Sequence, residues 1–271
     1  MKDYPATPDG LRVDRDVEAG VLRLAFDRVD RRNALTDDIV LGLIELIEAA
    51  GSDEAVRVIH LAGEGDHFCS GFDLSLRGKP DTPPRTGATQ RQMRWHVNRL
   101  IPTMLETQTP IVVAARGWII GLGLNIVLAA DFAVVDDDAR LWAPFVGAGF
   151  TPDSGSSWLL PRLAGVARAK DMLLLGRKVS GLEAAEWGLV HQAVEGRALD
   201  TVAGDLVAEL AAAPTVALGL TKLLINRGLD TDLPRHLADE AFAIELSSRS
   251  EDFTEASRAK RDKRAPDFRG R

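Results

Sequence analysis

Apolar and polar residues are arranged along the chain so that short apolar runs are repeatedly delivered into turns rich in small residues. Val21 to Phe26 (VLRLAF) alternates over part of its length and reads as a strand. Asp27 to Ala34 is a charged loop, after which Thr36 caps a helix with Asp37 and Asp38 in its first turn and Ile39, Leu43, Ile44 and Ile47 on one face. Val56 to Leu61 is the next strand and leads into Gly63 to Asp73 (GEGDHFCSGFD). The central stretch, Ile111 to Asp131 (IVVAARGWIIGLGLNIVLAAD), repeats the pattern. A β-rich run, Ile111 to Ala115, is followed by Gly117, Gly121 and Gly123. A buried helix from Leu124 to Ala130 then closes at Asp131. Phe132 to Val135 is a further strand, followed by a loop with Trp142, Pro144 and Phe145 and by a third turn segment, Gly149 to Pro161. Three repetitions of strand, turn and helix predict a stacked α/β core rather than an open doubly wound sheet.

Between the second and third of these strands, Arg77 to Gly87 combines three prolines, two glycines and charges of both signs, and reads as a mobile loop or lid. A long helix from about Thr89 to Leu105, bent at Pro102, follows it. After the third turn the pattern predicts helices from Trp158 to Leu163, Ala167 to Leu175 and Ser180 to Glu186, the last with Ser180 and Glu183 as a capping box. From Leu199 onward only helices are predicted: Leu199 to Ala212, Pro214 to Asn226, Leu233 to Ser248 and Glu251 to Arg264. The chain therefore divides into an α/β core, residues 1–198, and a helical subdomain, residues 199–271, whose apolar faces must pack on the core or on a neighbouring subunit.

Composition narrows the function. Apolar residues make up 45% and charged residues 27%, ordinary values for a water-soluble fold. No apolar run has the length of a membrane span and MKDYPATPDG lacks a signal-peptide core, so a cytoplasmic location is expected. The single cysteine, Cys69, and five scattered histidines argue against a disulfide framework and a metal site. A net charge of -7 argues against nucleic acid. Positive charge concentrates only at Arg258, Lys260, Arg261, Lys263, Arg264, Arg269 and Arg271, which read as a solvated tail or as a contact for a nucleotide phosphate.

A strand that ends in a glycine turn opening a helix leaves the first helical N–H groups without intrahelical partners, so the turn can hold an anion or a developing oxyanion. Taken alone, Gly121 and Gly123 only permit a tight helix–strand crossing. Ser70-Gly71-Phe72-Asp73 offers a second place where backbone can approach a ligand. Together HFCSGFDLS, ARGWIIGLGLNIVLAAD, GFTPDSGSSWLLPRLAG and RKVSGLEAAEWGLVHQAV resemble the enoyl-CoA hydratase/isomerase (crotonase) superfamily, from about Val21 to Phe268.

The resemblance implies a spiral of ββα units with a C-terminal helical region used in trimerisation, giving a homotrimer or dimer of trimers. It implies an acyl-CoA thioester as substrate, with CoA as part of that substrate and no separate cofactor. The backbone N–H groups of Phe72 and Leu122 would hold the thioester oxygen, flanked by Gly71, Gly121 and Gly123. The nucleotide would lie against Ala34 and the Ser70 to Leu74 backbone, including Gly71 and Asp73, with Lys263 at its phosphates. The positions that match the two glutamates of the hydratases hold Asn125 and Phe145, neither of which exchanges a proton. Asp153, in TPDSG, is the remaining carboxylate of the region. At that place the resemblance puts the acid of double-bond isomerases and of those that isomerise a ring epoxide of phenylacetyl-CoA; as a residue it reads equally as a helix N-cap. The expected activity is thus acyl-CoA isomerisation, with hydration or lyase chemistry, or acyl-CoA binding without catalysis, as alternatives. Trp118, Trp142, Phe145 and Trp158 are read either as pocket walls or as core, His67 as a surface residue, Cys69 as an inert buried thiol and Asp73 as the organiser of its own turn.

Overall fold

A computed structural model describes residues 4–76 and 84–271. The alternating run becomes strand β2 (Val21–Phe26), pairing antiparallel with β1 (Leu11–Asp16) and parallel with β3 (Val58–Gly63). Parallel strands β4 (Ile111–Ala115), β6 (Phe132–Asp136) and β9 (Gln192–Val194) complete a six-stranded sheet of order β1-β2-β3-β4-β6-β9. A smaller sheet holds β5 (Trp118–Ile120), β7 (Arg140–Trp142) and β8 (Val179–Ser180). The chain climbs as the expected spiral: β4 crosses to β5 in the small sheet, returns through helix α4 (Leu122–Ala129), and starts again at β6 and β7. Earlier turns reach the small-sheet layer through isolated bridges, Leu35 to Phe72 and Cys69 to Ile119. Every residue of β4 and of α4 is buried, as a central parallel strand and the helix it feeds require.

Helix α1 (Asp37–Ala50) is capped by Thr36, whose Oγ1 accepts the Ile39 N–H at 3.2 Å, and buries the predicted face together with Val40 and Leu46. The expected long helix is instead two: α2 (Ala88–Trp95) and α3 (Leu100–Glu106), joined through a 3-10 turn, Val97–Arg99. The break lies at His96, with φ -116° and ψ -104°, and not at Pro102. Pro102 falls in the first turn of α3, where a missing N–H costs nothing because that N–H has no helical partner. Helix α5 (Ser156–Leu174) is interrupted at Gly165, which separates the two helices read from the pattern, and α6 (Gly181–Glu186) carries the capping box of Ser180 and Glu183. The expected lid falls mainly on residues 77–83, outside the described residues.

No strand occurs from Leu199 onward among the described residues. Helix α7 (Leu199–Ala212) lies on the six-stranded sheet, with Val207, Leu210 and Ala211 against Val21, Val58 and Val112. Helix α8 (Thr215–Gly228) is tied to the core by an ion pair, Lys222 Nζ to Asp131 Oδ2 at 2.7 Å. Pro214 takes its N-cap position, one residue earlier than the pattern suggests. Helices α9 (Leu233–Ser247) and α10 (Glu251–Asp262) bury little, leaving Leu233, Leu237, Phe242 and Phe253 exposed. The basic C-terminal stretch is only partly solvated. Arg264 grips Glu255 through both guanidinium nitrogens, at 2.6 and 3.0 Å, and Asp252 accepts the N–H groups of Arg269 and Gly270. The Arg264 hydrogen bonds hold the Glu255 carboxyl down at about 2. No single described helix is long and apolar enough to cross a membrane.

Candidate active site

The two glycine turns are laid side by side by the small-sheet layer. Cys69 N–H donates to the Trp118 carbonyl at 3.0 Å, and Ile120 N–H donates to the Cys69 carbonyl at 2.9 Å. Further along the first turn, Leu35 N–H donates to the Gly71 carbonyl and Asp73 N–H to the Leu35 carbonyl, both at 2.8 Å. The two bonds to Leu35 flank Phe72, so its N–H is turned away from Leu35. That turn requires glycine. Gly121 has φ 54° and ψ -114°, a conformation closed to side-chain-bearing residues, and it launches α4 with Leu122 as first residue. Gly71, at φ 90°, lets the turns meet: a Cβ there would stand 3.1 Å from the Ile120 carbonyl oxygen and 3.8 Å from Leu122 N. Gly123 lets α4 press on Cys69, since a Cβ would come within 2.8 Å of its Sγ.

Asp153, Phe72 and Leu122 line one cavity of about 470 Å³. Asp153 does not cap α5. The N-cap is Gly155, with no side-chain bond to the helix, and the Asp153 carboxylate instead accepts the Ser154 hydroxyl at 3.0 Å. Its main chain is clamped from below by Asn125, fully buried on α4. Asn125 Nδ2 donates to the Asp153 carbonyl at 3.2 Å, and its Oδ1 accepts the Ser156 hydroxyl at 2.8 Å. Asn125 thus has a part that sequence reasoning, which saw only a missing acid, did not give it. Phe145, at the other hydratase position, is buried in the cavity wall with its ring edge-to-face on Phe150, centroids 5.8 Å apart. Trp118, Trp142 and Trp158 do not line this cavity; Trp118 and Trp142 pack against each other in the small-sheet layer.

Residues 16–271 fit the sequence model of the enoyl-CoA hydratase/isomerase family. This chain belongs to that family. It is 34% identical over 255 residues to the 1,2-epoxyphenylacetyl-CoA isomerase of Escherichia coli (strain K12), covering 94% of this chain and 97% of that one. It is 33% identical over 214 residues to 4-chlorobenzoyl coenzyme A dehalogenase-1 of Arthrobacter sp, covering 77% of this chain and 75% of the relative. The crystal structure of the enoyl-CoA hydratase from Bacillus anthracis superposes with a TM-score of 0.88 at 28% identity, covering 97% of this chain and all of that one. Family membership carries the crotonase fold and CoA-thioester chemistry; the relatives' different activities leave the specific reaction to the residues of this site.

Of the expected nucleotide contacts, Ser70, Gly71 and Leu74 line the cavity, as does Gly121. Ala34 lies beside them, since Ser70 N–H donates to the Arg32 carbonyl and its hydroxyl to the Arg31 carbonyl. Asp73 is occupied by its own turn on one side and by Arg28 on the other. One carboxylate oxygen accepts Ser75 N–H and hydroxyl, and the other accepts two Arg28 nitrogens, both at 3.1 Å. The Ser75 hydroxyl, followed by Arg28, holds its carboxyl below the usual range. Lys263 is not brought to the cavity: it is the left-handed C-cap of α10 and stands exposed. His67 is half-buried rather than on the surface, its Nδ1 accepting the Trp118 N–H at 3.3 Å. Sequence reasoning missed Asn33, buried and in the left-handed region. Its side chain joins Arg28 N–H to the Glu64 and His67 carbonyls and so fixes the Gly63–Asp73 turn; its place at the end of a charged loop gave no periodic signal.

Cys69 is fully buried, and that burial pushes its thiol up to about 12. The native protein is therefore expected to give no reaction with a disulfide reagent at pH 8, where little thiolate exists, and one equivalent after denaturation. Rapid reaction of the folded protein would show that the α4–Cys69 contact opens.

Proposed function

We propose that this protein is an acyl-CoA isomerase that shifts a double bond or rearranges a ring epoxide of a CoA thioester through an enolate. The observation that carries this reading is that Asp153 lines the same cavity as the Phe72 and Leu122 turns, with Asn125 and Phe145 where a hydratase would need acids; the cavity's other carboxylate, Asp37, lies on the wall formed by α1 and α2. In double-bond isomerisation Asp153 takes a proton from the carbon beside the thioester carbonyl. The electron pair of that C–H bond moves onto the carbonyl oxygen, and the two backbone N–H groups stabilise the charge, each contributing about 3 kcal/mol to lowering the barrier. The protonated Asp153 then returns the proton to the distal carbon as the enolate collapses, so no water and no electrons are gained or lost. The 34% identity to an epoxyphenylacetyl-CoA isomerase supports the same reading. The exposed apolar side chains of α9 and α10 support assembly into a homo-oligomer of the trimeric kind the resemblance implies.

The test is product analysis by mass spectrometry and NMR after incubation with 2-enoyl-, 3-enoyl- and aryl-acetyl-derived CoA esters. An isomerase gives a product of unchanged mass with a moved double bond or rearranged ring. A product heavier by one water assigns a hydratase, and tight binding without turnover across the panel assigns a binding subunit.

A further inference from the structure

The proton shuttle leaves part of the cavity wall without a use. Where α1 meets α2, four polar side chains line the cavity among Met93, Val97 and Phe145: Asp37, Thr89, Gln92 and His96. Gln92 Nε2 donates to Asp37 Oδ2 at 3.4 Å, and His96 Nδ1 stands 3.5 Å from Asp37 Oδ1. That Nδ1 is buried without a hydrogen bond, and the imidazole is 35% exposed, with no partner for Nε2 among the described residues. The chain departs from helical geometry at His96 itself, so the residue occupies the joint between α2 and the next turn rather than a regular helix face. Gln92 is exposed and Asp37 and His96 are partly exposed, so this polar group is open to a molecule in the cavity rather than sealed in the core. A carboxylate beside Nδ1 favours the tautomer with its proton there, which leaves Nε2 as an acceptor on a ring that lines the cavity.

We propose that His96, oriented by Asp37, is a specificity-determining residue that binds a hydroxyl group on the acyl portion of the substrate, in addition to the thioester carbonyl held at Phe72 and Leu122. The inference rests on the acyl-CoA reading of the cavity given above. A hydroxyl is the substituent that suits this wall in both states of the ring: its O–H donates to Nε2 of the neutral imidazole, and its oxygen accepts from Nε2–H of the protonated one. A second carbonyl or an ether oxygen, which only accept, would match the protonated ring alone. If the pair served only to tie α1 to α2, replacing His96 would weaken every ester alike and leave selectivity unchanged.

The experiment measures dissociation constants by calorimetry for phenylacetyl-CoA against its 2-, 3- and 4-hydroxy derivatives, and for butyryl-CoA against 3-hydroxybutyryl-CoA. A hydroxylated ester is expected to bind about tenfold tighter than its parent to the unmodified protein, with the ratio falling to about one in His96→Phe. Asp37→Asn, which keeps the size of the side chain, is expected to lower the same ratio, and it carries the test if His96→Phe does not fold. The proposal is overturned if no hydroxylated ester is preferred, or if the preference survives His96→Phe. Binding of the parent esters with no hydroxyl preference removes this inference alone. Absence of binding by every ester removes the acyl-CoA reading along with it.

Discussion

Asp153→Asn is expected to lower isomerase turnover by about 10³-fold, within the range attributed to a positioned general acid–base group. The dissociation constant of a non-reacting acyl-CoA should stay within about threefold, because the amide keeps the side chain's size while losing the charge and the ability to carry a proton. The local scaffold predicts this separation. The Asp153 carbonyl accepts from Asn125 and Ser156, and the amide of the variant can still accept the Ser154 hydroxyl, so the substitution leaves this clamp in place. Stopped-flow turnover on a 3-enoyl-CoA and calorimetry on a saturated ester measure the two quantities separately. Full retained activity would reduce Asp153 to a loop residue and end the isomerase mechanism, although the family assignment would stand. Loss of binding in step with turnover would assign the carboxylate a structural part instead.

The second large effect is on stability. Lys222→Met is expected to destabilise the fold by about 3 kcal/mol at pH 7, read as a lowered urea midpoint, because it leaves the Asp131 carboxylate buried beside α8 without its cation. Both members of the pair are charged against the pull of burial. Burial pushes the Asp131 carboxyl up more strongly than Lys222 pulls it down, and burial pushes the Lys222 ammonium down more strongly than Asp131 raises it. A carboxyl whose folded value is raised contributes stability that is full below the ordinary carboxylate range and is lost as pH rises through the folded value. A lysine whose folded value is lowered contributes stability that is present above the ordinary lysine range and is lost as pH falls through the folded value. Between these limits both groups are charged at a cost. The double variant Asp131→Asn, Lys222→Met, which retains an acceptor for the Ile111 N–H, should therefore recover at least about half of the loss. The single Lys222→Met deficit should also shrink as pH falls and Asp131 takes up a proton. A double variant no more stable than the single would show that the ion pair stabilises the native state.

Long periodic elements were legible in the sequence, and contacts across the spiral were not. The apolar face of α1, the all-round burial of α4 and the capping box of α6 follow from spacing and from residue types whose local hydrogen bonds are self-contained. Strands β5, β7 and β9 have three residues each, too few for alternation to register, and β1 (LRVDRD) is an edge strand with a largely polar sequence. The candidate site shows the same division. The glycine turns announce themselves because few other residues adopt their geometry. The clamp of Asn125 on Asp153 joins residues 28 positions apart, and the approach of His96 to Asp37 joins two helices; neither leaves a local pattern. The break at His96 was hidden because α2 and the segment after it share a helical composition, whereas Pro102, the visible breaker, sits where a helix tolerates it.

The clamp under Asp153 also limits how this scaffold can change its chemistry. An amide offers both a donor and an acceptor, and Asn125 spends the first on a carbonyl and the second on a hydroxyl. An ionised glutamate only accepts, so restoring the hydratase acid at position 125 would set its oxygens against the Asp153 carbonyl and unmoor the loop it was meant to assist. Conversion between the two reactions on this backbone is thus a coordinated exchange of helix residue and loop together, and single-step variants between them pass through a form that does neither well.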